Sequence, residues 1–258
     1  MPTEKAAPLP LSLRERRRAV ATREILDAAE KLVTERGLGD LSLRAVARSL
    51  GMTVQALYHY FPSRDALVTA LVTEAYDELA DAVRAATEPG ADDPAVPRLV
   101  AAAEGYRRWA VDHPERFQLI YGTPLRHYSA PAGGPTTRAM RRVAAVIKRA
   151  LFDGFTPAQL AAADMPVLSS PLRAHLEQLS PDSLGDLPAP AAALLLSAWG
   201  QLHGLVVLEV FGHTSFIGDH QAEVFRTAMR NLVQDVHRRI PDVGAGVGVA
   251  AGGGGGEV

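Results

Sequence analysis

The residues best suited to chemistry in this sequence lie together in the stretch TVQALYHYFPSRDAL, at positions 53–67. Its YHYF segment sets four rings side by side, and neighbouring residues on a helix point in different directions, so some of these rings must face outward. The stretch also holds a glutamine, which can bond an adenine edge bidentately, and tyrosine hydroxyls, which commonly bond phosphate oxygens. This combination of side chains suits contact with a nucleic acid.

Two helices and a tight turn must position these side chains. Ser42 is typical of a helix N-cap, and Gly51 accepts the left-handed conformation of a tight turn. Thr53 is typical of the cap of a second, short helix that runs to about Tyr60. The first of the two helices has one apolar face, formed by Leu43, Val46, Ala47 and Leu50. This is the construction of a helix-turn-helix, whose second helix lies in the major groove of DNA.

The same pattern predicts which residues of the second helix face outward. Leu57 and Phe61 are spaced at i and i+4 and are expected to face the core, so the residues between and before them point away. The set presented outward is Thr53, Gln55, Ala56, His59 and Tyr60. Arg64 falls in the first turn of the next helix, where exposed amides and the helix dipole attract a phosphate. An anion nearby would explain a cation at that position.

Charge is unevenly distributed along the chain, although the net charge is only −2. Residues 1–72 hold 11 basic and 8 acidic residues, a net charge of +3, whereas residues 73–258 hold 16 and 21, a net charge of −5. A basic N-terminal segment on an acidic body indicates that only this end meets a polyanion. The run RERRR (14–18) is interpreted as a solvated arm, with phosphate or minor-groove contact by part of it as the alternative.

The run LSLRAVARSLGMTVQALYHYFPSRDAL, within residues 19–79, resembles the DNA-binding domain of the tetracycline-repressor (TetR) family of bacterial regulators. The resemblance implies a homodimer that binds a palindromic DNA operator. Members of the family mostly repress transcription until a small ligand binds the C-terminal domain. By position, the residues implied to contact bases are Arg44, Val54, Gln55 and His59. Those implied to contact the DNA backbone are Ser42, Thr53, Ala56, Tyr58, Tyr60 and Arg64. The sequence departs from the family at position 64, where Lys is more usual than Arg.

Two further segments, GYRRWAVDHPERFQLIYGTP (105–124) and WGQLHG (199–204), resemble the C-terminal domain of a TetR subtype named for its Trp-His-Gly motif. This resemblance implies a fold subtype and no particular ligand. Candidate ligand-binding residues are Tyr106, Trp109, Phe117, Tyr121, Trp199 and His203. Large apolar surfaces with a few polar tips are the usual composition of such a pocket, and ordinary core packing is the alternative.

The helical periodicity predicts an all-α protein in which a three-helix helix-turn-helix domain is joined to a larger helical domain for ligand binding and dimerisation. The expected divisions are a disordered basic arm (1–18), the DNA-binding domain (19–79, with the motif at 42–61), the C-terminal domain (80–240) and a disordered glycine-rich tail (241–258). Later helices are predicted near 97–112, 115–121, 136–153, 157–163, 171–179, 189–212 and 219–240.

The last two predicted helices have broad apolar faces, which favour pairing with the same helices of a second subunit in a four-helix interface. The residues predicted for this interface are Val206, Val210, Phe225, Met229, Leu232, Val233 and Val236. Packing within one chain is the alternative explanation of the same pattern.

Several other classes of protein are disfavoured. Residues 191–212 are long enough to span a bilayer, but Gln201, His203 and Glu209 interrupt them, so a buried helix is expected. His203 and Glu209 lie on different helix faces, and no nucleophile or metal-binding spacing accompanies them, so no catalytic, metal or cofactor site is predicted. The absence of cysteine and of a secretory signal suits the cytoplasm. The competing hypotheses are a DNA-binding regulator without ligand response and a helical enzyme with an appended helix-turn-helix.

Overall fold

The computed structural model describes residues 12–88, 96–122, 128, 130, 131, 133–179, 184 and 186–242, and these residues form helices and no strand. The α-helices are α1 (Leu13–Arg36), α2 (Leu43–Ser49), α3 (Val54–Tyr58), α4 (Arg64–Ala85), α5 (Arg98–Asp112), α6 (Pro114–Tyr121), α7 (Pro135–Phe152), α8 (Pro157–Ala161), α9 (Ser170–Glu177), α10 (Ala189–Val210) and α11 (Gln221–Arg239). The predicted all-α class is confirmed. The predicted glycine-rich tail beyond 242 and the first eleven residues lie outside the described residues.

The chain divides into two compact units. The first unit contains Met1–Glu78 together with His113–Met140, and the second contains Leu79–Asp112 together with Arg141–Val258. Helix α6 therefore groups with the N-terminal helices, although the sequence pattern assigned it to a continuous domain from 80 to 240. The pattern could not show this, because helix periodicity marks an apolar face without marking the element that the face packs against.

Helix α1 begins six residues before the predicted start at 19, so the basic run 14–18 is helical and is not part of a disordered arm. The reason is a capping box. The Ser12 hydroxyl accepts a hydrogen bond from the Glu15 N–H (3.3 Å), and the Glu15 carboxylate accepts one from the Ser12 N–H (2.8 Å). Hydrogen bonding of the Glu15 carboxylate to the Ser12 side chain, and to the Ser12 N–H, holds the pKa of Glu15 below its usual value. The S-x-x-E spacing was the sequence signal for this early start.

The core of the first unit is built from one apolar stripe on each helix. Helices α1, α2 and α3 pack in sequence, and α4 adds a long stripe. The buried side chains include Ile25, Ala29 and Leu32 of α1, Val46 and Ala47 of α2, Leu57 of α3, and Leu67, Val68 and Leu71 of α4. This small core fixes the position of α3.

In the second unit, α10 and α11 pack against α5 and against each other. Six of the seven residues predicted for a dimer interface are buried in this packing, so their assignment to the interface is wrong: Val206, Phe225, Met229, Leu232, Val233 and Val236. Val210 alone of the seven is partly exposed. Both a core and an interface produce an i, i+3, i+4 stripe, and here the most apolar stripe faces the chain's own α5.

Among the described helices, α10 alone has the length and hydropathy of a membrane span. Core helices of soluble proteins have the same composition, and the buried side of α10 packs on neighbouring helices. Its length and composition therefore do not by themselves indicate a membrane segment.

Candidate nucleic-acid interface

The joint between α2 and α3 is a tight turn closed by backbone hydrogen bonds. The Ser42 hydroxyl caps α2 by accepting from the Ala45 N–H at 3.1 Å. Gly51 adopts φ = 64°, a conformation that residues with a Cβ rarely adopt. The Met52 N–H then donates to the Ala47 carbonyl at 2.9 Å, and the two short helices are thereby held at a fixed angle through the turn.

Helix α3 is short and is attached by two apolar anchors. The Thr53 hydroxyl accepts from the Ala56 N–H (3.2 Å), and the helix ends at Tyr58, two residues before the predicted end. Leu57 is fully buried and Phe61 is 6% exposed, as the i, i+4 spacing predicted. The prediction that these two side chains hold the helix to its own domain is confirmed.

The ten predicted DNA-contacting residues all lie in the first unit, around α2, the turn and α3. Five of them are exposed: Arg44, Thr53, Gln55, Tyr58 and His59. The other five are partly buried: Ser42, Val54, Ala56, Tyr60 and Arg64. The structure thus leaves glutamine, histidine and tyrosine side chains exposed at α3 and an arginine exposed on α2, and these side-chain types suit contact with base edges and phosphates.

Arg64 has a role that the sequence did not indicate. Its Nε donates to the Leu41 carbonyl at 2.8 Å, and its Nη2 donates to the Leu38 carbonyl at 3.0 Å. These carbonyls belong to the short segment between α1 and α2, so the guanidinium ties that segment to the start of α4. Their partial negative charges explain a cation in the first turn of a helix without any bound anion.

Arg18 belongs to the basic run 14–18, and its contact with the end of α3 was not predicted. Its Nη2 donates to the His59 carbonyl at 3.0 Å, and its guanidinium carbon lies 5.2 Å from the centre of the Tyr60 ring. The S-x-x-E spacing at Ser12 was the one available signal, because it predicts a helix start that places Arg18 on α1. The partner of Arg18 lies 41 residues further along the chain, and no sequence pattern connects the two.

Helix α6 is fastened to α1 and α4 by Arg116. The guanidinium binds both carboxylate oxygens of Glu30, with Nη2 2.6 Å from Oε2, and it also contacts the Glu78 carboxylate. The hydrogen bonds to Glu30 are the main reason that the pKa of Arg116 is raised, so this cation keeps its charge at any accessible pH. This cluster was also missed, since its members are 38 to 86 residues apart.

The six predicted ligand-binding residues fall into two sets, one in each unit. In the second unit, the Tyr106 hydroxyl lies 2.8 Å from Nδ1 of His203, and the His203 ring stacks on Trp199 with centroids 5.2 Å apart. Tyr106 is fully buried and Trp109 is 5% exposed in the same unit. Burial lowers the pKa of His203, which favours its neutral form as the acceptor of the Tyr106 hydrogen bond.

The remaining two members, Phe117 and Tyr121, lie in the first unit. Phe117 is fully buried and its ring is 5.2 Å from that of Tyr121, which meets Tyr76 edge-on at 5.7 Å. Burial raises the pKa of Tyr76. These rings fill the interior of the first unit, so core packing accounts for Phe117 and for much of Tyr121.

His203 and Glu209, the two residues weighed for acid–base chemistry, have different partners in the described part of the chain. Glu209 forms a bidentate pair with Arg107, in which Nε lies 2.7 Å from Oε2, while His203 is bonded to Tyr106. His203 and Glu209 thus have separate partners, as expected for different helix faces. No group of three His, Asp or Glu residues within the described ranges could hold a metal ion.

A short helix anchored at a tight turn, with polar side chains facing away from a small helical core, defines a helix-turn-helix protein. Comparison with known proteins is consistent with this class. Residues 25–71 match the family described as bacterial regulatory proteins, tetR family, and residues 99–232 match the family described as tetracyclin repressor-like, C-terminal domain. The chain belongs to the TetR family of bacterial transcriptional regulators.

Individual relatives agree with this assignment. The chain is 34% identical over 191 residues to the HTH-type transcriptional regulator Rv1816 of Mycobacterium tuberculosis, which covers 73% of this chain and 80% of that protein. The crystal structure of the regulatory protein SCO4313 superimposes with a TM-score of 0.69 at 34% identity, covering 86% of this chain and 100% of that one. PfmR from Thermus thermophilus, at 19% identity and a TM-score of 0.50 over 81% of this chain and 97% of its own, shares the fold.

Proposed function

We propose that this DNA-binding regulator acts as a homodimeric repressor that occupies a palindromic operator and is released from it by a small-molecule ligand. The observation that carries the proposal is the polar outer side of α3, fixed by Leu57 and Phe61 within a helix-turn-helix. Two such helices related by a two-fold axis would enter successive major grooves, about 34–36 Å apart. The cytoplasm, where the DNA of a bacterium lies, is the proposed location.

The proposed division of the interface follows side-chain chemistry. Base reading is assigned to Arg44, Val54, Gln55 and His59, and backbone contact to Ser42, Thr53, Ala56, Tyr58, Tyr60 and Arg64. Exposure supports the assignment most directly for Gln55 and His59 among the readers and for Tyr58 among the backbone contacts. For Arg64, the N–H groups that are not directed at Leu38 and Leu41 would supply the phosphate contact.

The dimer is assigned to the outer faces of α10 and α11, which replace the buried stripe as the candidate interface. Large apolar side chains are exposed there: Leu196 (48%), Leu208 (42%), Phe211 (41%) and Val224 (46%). The exposed Gly200 lies on α10 between the first two and would let another helix approach closely. Val210 remains a member of the interface from the original set.

The ring cluster of Tyr106, Trp199 and His203 supports ligand binding by the second unit. It combines apolar ring faces with one hydroxyl and one imidazole, which could orient a small, mostly apolar molecule. The same cluster supports the Trp-His-Gly subtype, because Trp199 and His203 of the WGQLHG segment pack together. One conformation of the dimer spans both half-sites and another does not. For release from DNA, the ligand must bind the second conformation more tightly than the first.

Selection of bound sites from random duplex DNA tests the operator. The expected result is a sequence with two-fold symmetry, bound by two copies of the chain. Recovery of sites without symmetry, bound by a single copy, would contradict the dimeric arrangement while leaving DNA binding intact.

A regulator without ligand response is the second candidate, and a specific observation favours it. Tyr106 is fully buried and its ring packs edge-on to Trp199 at 5.5 Å. The chain's own side chains therefore occupy much of the space that a ligand would need. A thermal-shift screen of small molecules, followed by measurement of release from the selected operator, separates the two candidates. Stabilisation of the protein without release from DNA would support the second.

A further inference from the structure

The first two turns of α1 project from the first unit with little packing around them. Every residue from Ser12 to Val20 is exposed, including Leu13 at 58% and Val20 at 60%. A helical end without tertiary packing is marginally stable in water. Here the Ser12–Glu15 capping box closes its N-terminus and Arg18 ties its second turn to α3. The chain therefore maintains an exposed helix that contributes little to the core.

This helical extension, residues 13–20, is strongly basic. It holds four arginines and one glutamate, a net charge of +3, and the carboxylate of Glu15 is already engaged with the Ser12 N–H. Arg14, Arg17 and Arg18 are spaced at i, i+3 and i+4, so they share one face. Arg16 is roughly 100° or more away from each of them around the helix.

The basic face adjoins the DNA-reading helix. Arg14, Arg17 and Arg18 line a groove together with Leu13 and Tyr60. Arg18 spans the joint by donating to the His59 carbonyl and lying over the Tyr60 ring. His59 is the C-cap of α3, and Tyr60 is one of the residues assigned to backbone contact. The groove is thus a continuation of the surface that presents α3.

We propose that Arg14 and Arg17 bind backbone phosphates of duplex DNA flanking the bases read by α3, and that Arg18 positions the helix carrying them. The inference rests on the DNA-binding function described above and extends its footprint. Charge complementarity supports it, because a polyanion is the partner that a +3 helix on a DNA-reading surface fits. The contacts carry affinity and salt dependence without sequence preference.

The test compares single arginine substitutions on the selected operator. Each phosphate contact contributes about 0.9 to the slope of log binding constant against log salt. We expect R14Q and R17Q each to reduce the slope by about 0.9, and the double variant by about 1.8, which is about a 12-fold smaller affinity loss between 50 and 200 mM salt. R16Q, which removes the same charge from the other side of the helix, is the matched control and should leave the slope unchanged.

Two further measurements support the comparison. Hydroxyl-radical footprinting should show loss of protection at the outer edges of the site in the R14Q/R17Q variant, with the base preference of the site unchanged. The R14K/R17K variant, which keeps both charges, should retain the slope of the wild type and shows whether a loss in the glutamine variant reflects charge or a damaged helix.

Slopes for R14Q and R17Q equal to that of R16Q would overturn the inference. So would an unchanged slope accompanied by loss of binding to phosphatidylserine vesicles, since the surface would then be one for anionic lipid. If the wild-type chain itself selects no DNA site, the DNA-binding function fails and not only its extension.

Discussion

Arg64 shows that a side chain near the DNA-binding surface can also stabilise the fold. The resemblance assigns Arg64 to a DNA phosphate, and the structure gives two of its N–H groups to the Leu41 and Leu38 carbonyls. The guanidinium has a planar fork of five donors, so both roles are compatible only for arginine. A lysine in its place could keep the charge and would lose the pair of directed hydrogen bonds.

Substitution at position 64 should therefore separate stability from DNA contact. R64K is expected to lower the free energy of unfolding by about 1–3 kcal/mol, because the two carbonyls lose charged donors. R64A should lose the same stability and also reduce the salt slope of operator binding by about one unit. Urea denaturation and binding at several salt concentrations measure the two effects. Equal salt slopes for R64A and the wild type would show that Arg64 has only the structural role.

Gln55 and Tyr58 should differ in the kind of loss that they cause. Q55A is expected to relax base preference at one position of each half-site, at a cost of about 1–3 kcal/mol against the preferred base. Y58F removes only a hydroxyl from the exposed end of α3 and should weaken binding to all sequences alike. Binding to a panel of single-base operator variants reads out both. An unchanged base preference in the Q55A variant would show that Gln55 does not read a base.

How far the sequence could predict the interface is visible in individual contacts. The anchors Leu57 and Phe61 follow from an i, i+4 spacing, and the caps Ser42 and Thr53 follow from residue type, so local rules were enough to place α3. The bonds of Arg18 and Arg64 go to backbone carbonyls 23 to 41 residues away. Any residue type offers a carbonyl, and therefore no pattern of side chains marks these partners.

The packing partners of whole helices were harder to predict than the helices themselves, as α10 and α11 illustrate. The sequence correctly predicted two helices with broad apolar faces, and their most apolar stripes were wrongly assigned to contact with a second subunit. The buried stripes of α10 and α11 pack within the chain. Leu208 and Phe211, near the C-terminal end of α10, are exposed. A stripe's hydrophobicity does not identify its partner, because both a core and a dimer exclude water in the same way.

The exposed outer faces of α10 and α11 should determine dimer formation, and the buried stripes of the same helices should determine the stability of the chain. L208E is expected to shift the protein from dimer to monomer in sedimentation equilibrium with little change in its thermal midpoint. M229A is expected to cost about 2–5 kcal/mol of unfolding free energy, because it leaves a cavity in the core. V167E, at a site that is 96% exposed, is the control for added charge. A dimeric L208E variant would exclude this face.

At the scale of the whole molecule, stability should depend on pH through His203. Burial lowers the pKa of His203 in the folded chain, so the unfolded chain takes up a proton more readily. The neutral side chain's contribution is therefore complete above the unfolded pKa and is lost as pH falls through the folded one. We expect wild-type unfolding free energy to fall more steeply than that of H203Q as the pH is lowered from 7 to 5. Parallel pH profiles in urea denaturation would contradict this.

The Arg116 cluster should matter for the first unit as a whole. The Arg116 side chain is only 16% exposed and pairs with two glutamates, so R116M leaves both carboxylates without their cation at the junction of α1, α4 and α6. Breaking a buried pair costs roughly 3–5 kcal/mol, and partial exposure of Glu78 reduces this to about 1–3 kcal/mol. K31M, which breaks an exposed pair on α1, should change the urea midpoint little. Similar midpoints for the two variants would rule out a stabilising role for the cluster.

Regulators of this kind invite domain exchange, in which one protein's DNA-reading part is fused to another's sensing part. A junction placed in α4 after residue 79, the boundary predicted from the sequence, would discard the segment His113–Met140, which belongs to the same compact unit as the helix-turn-helix. Glu30 and Glu78 would then meet a foreign residue in place of Arg116. A functional chimaera of this protein must therefore transplant two separate stretches of chain, with α6 accompanying the helix-turn-helix.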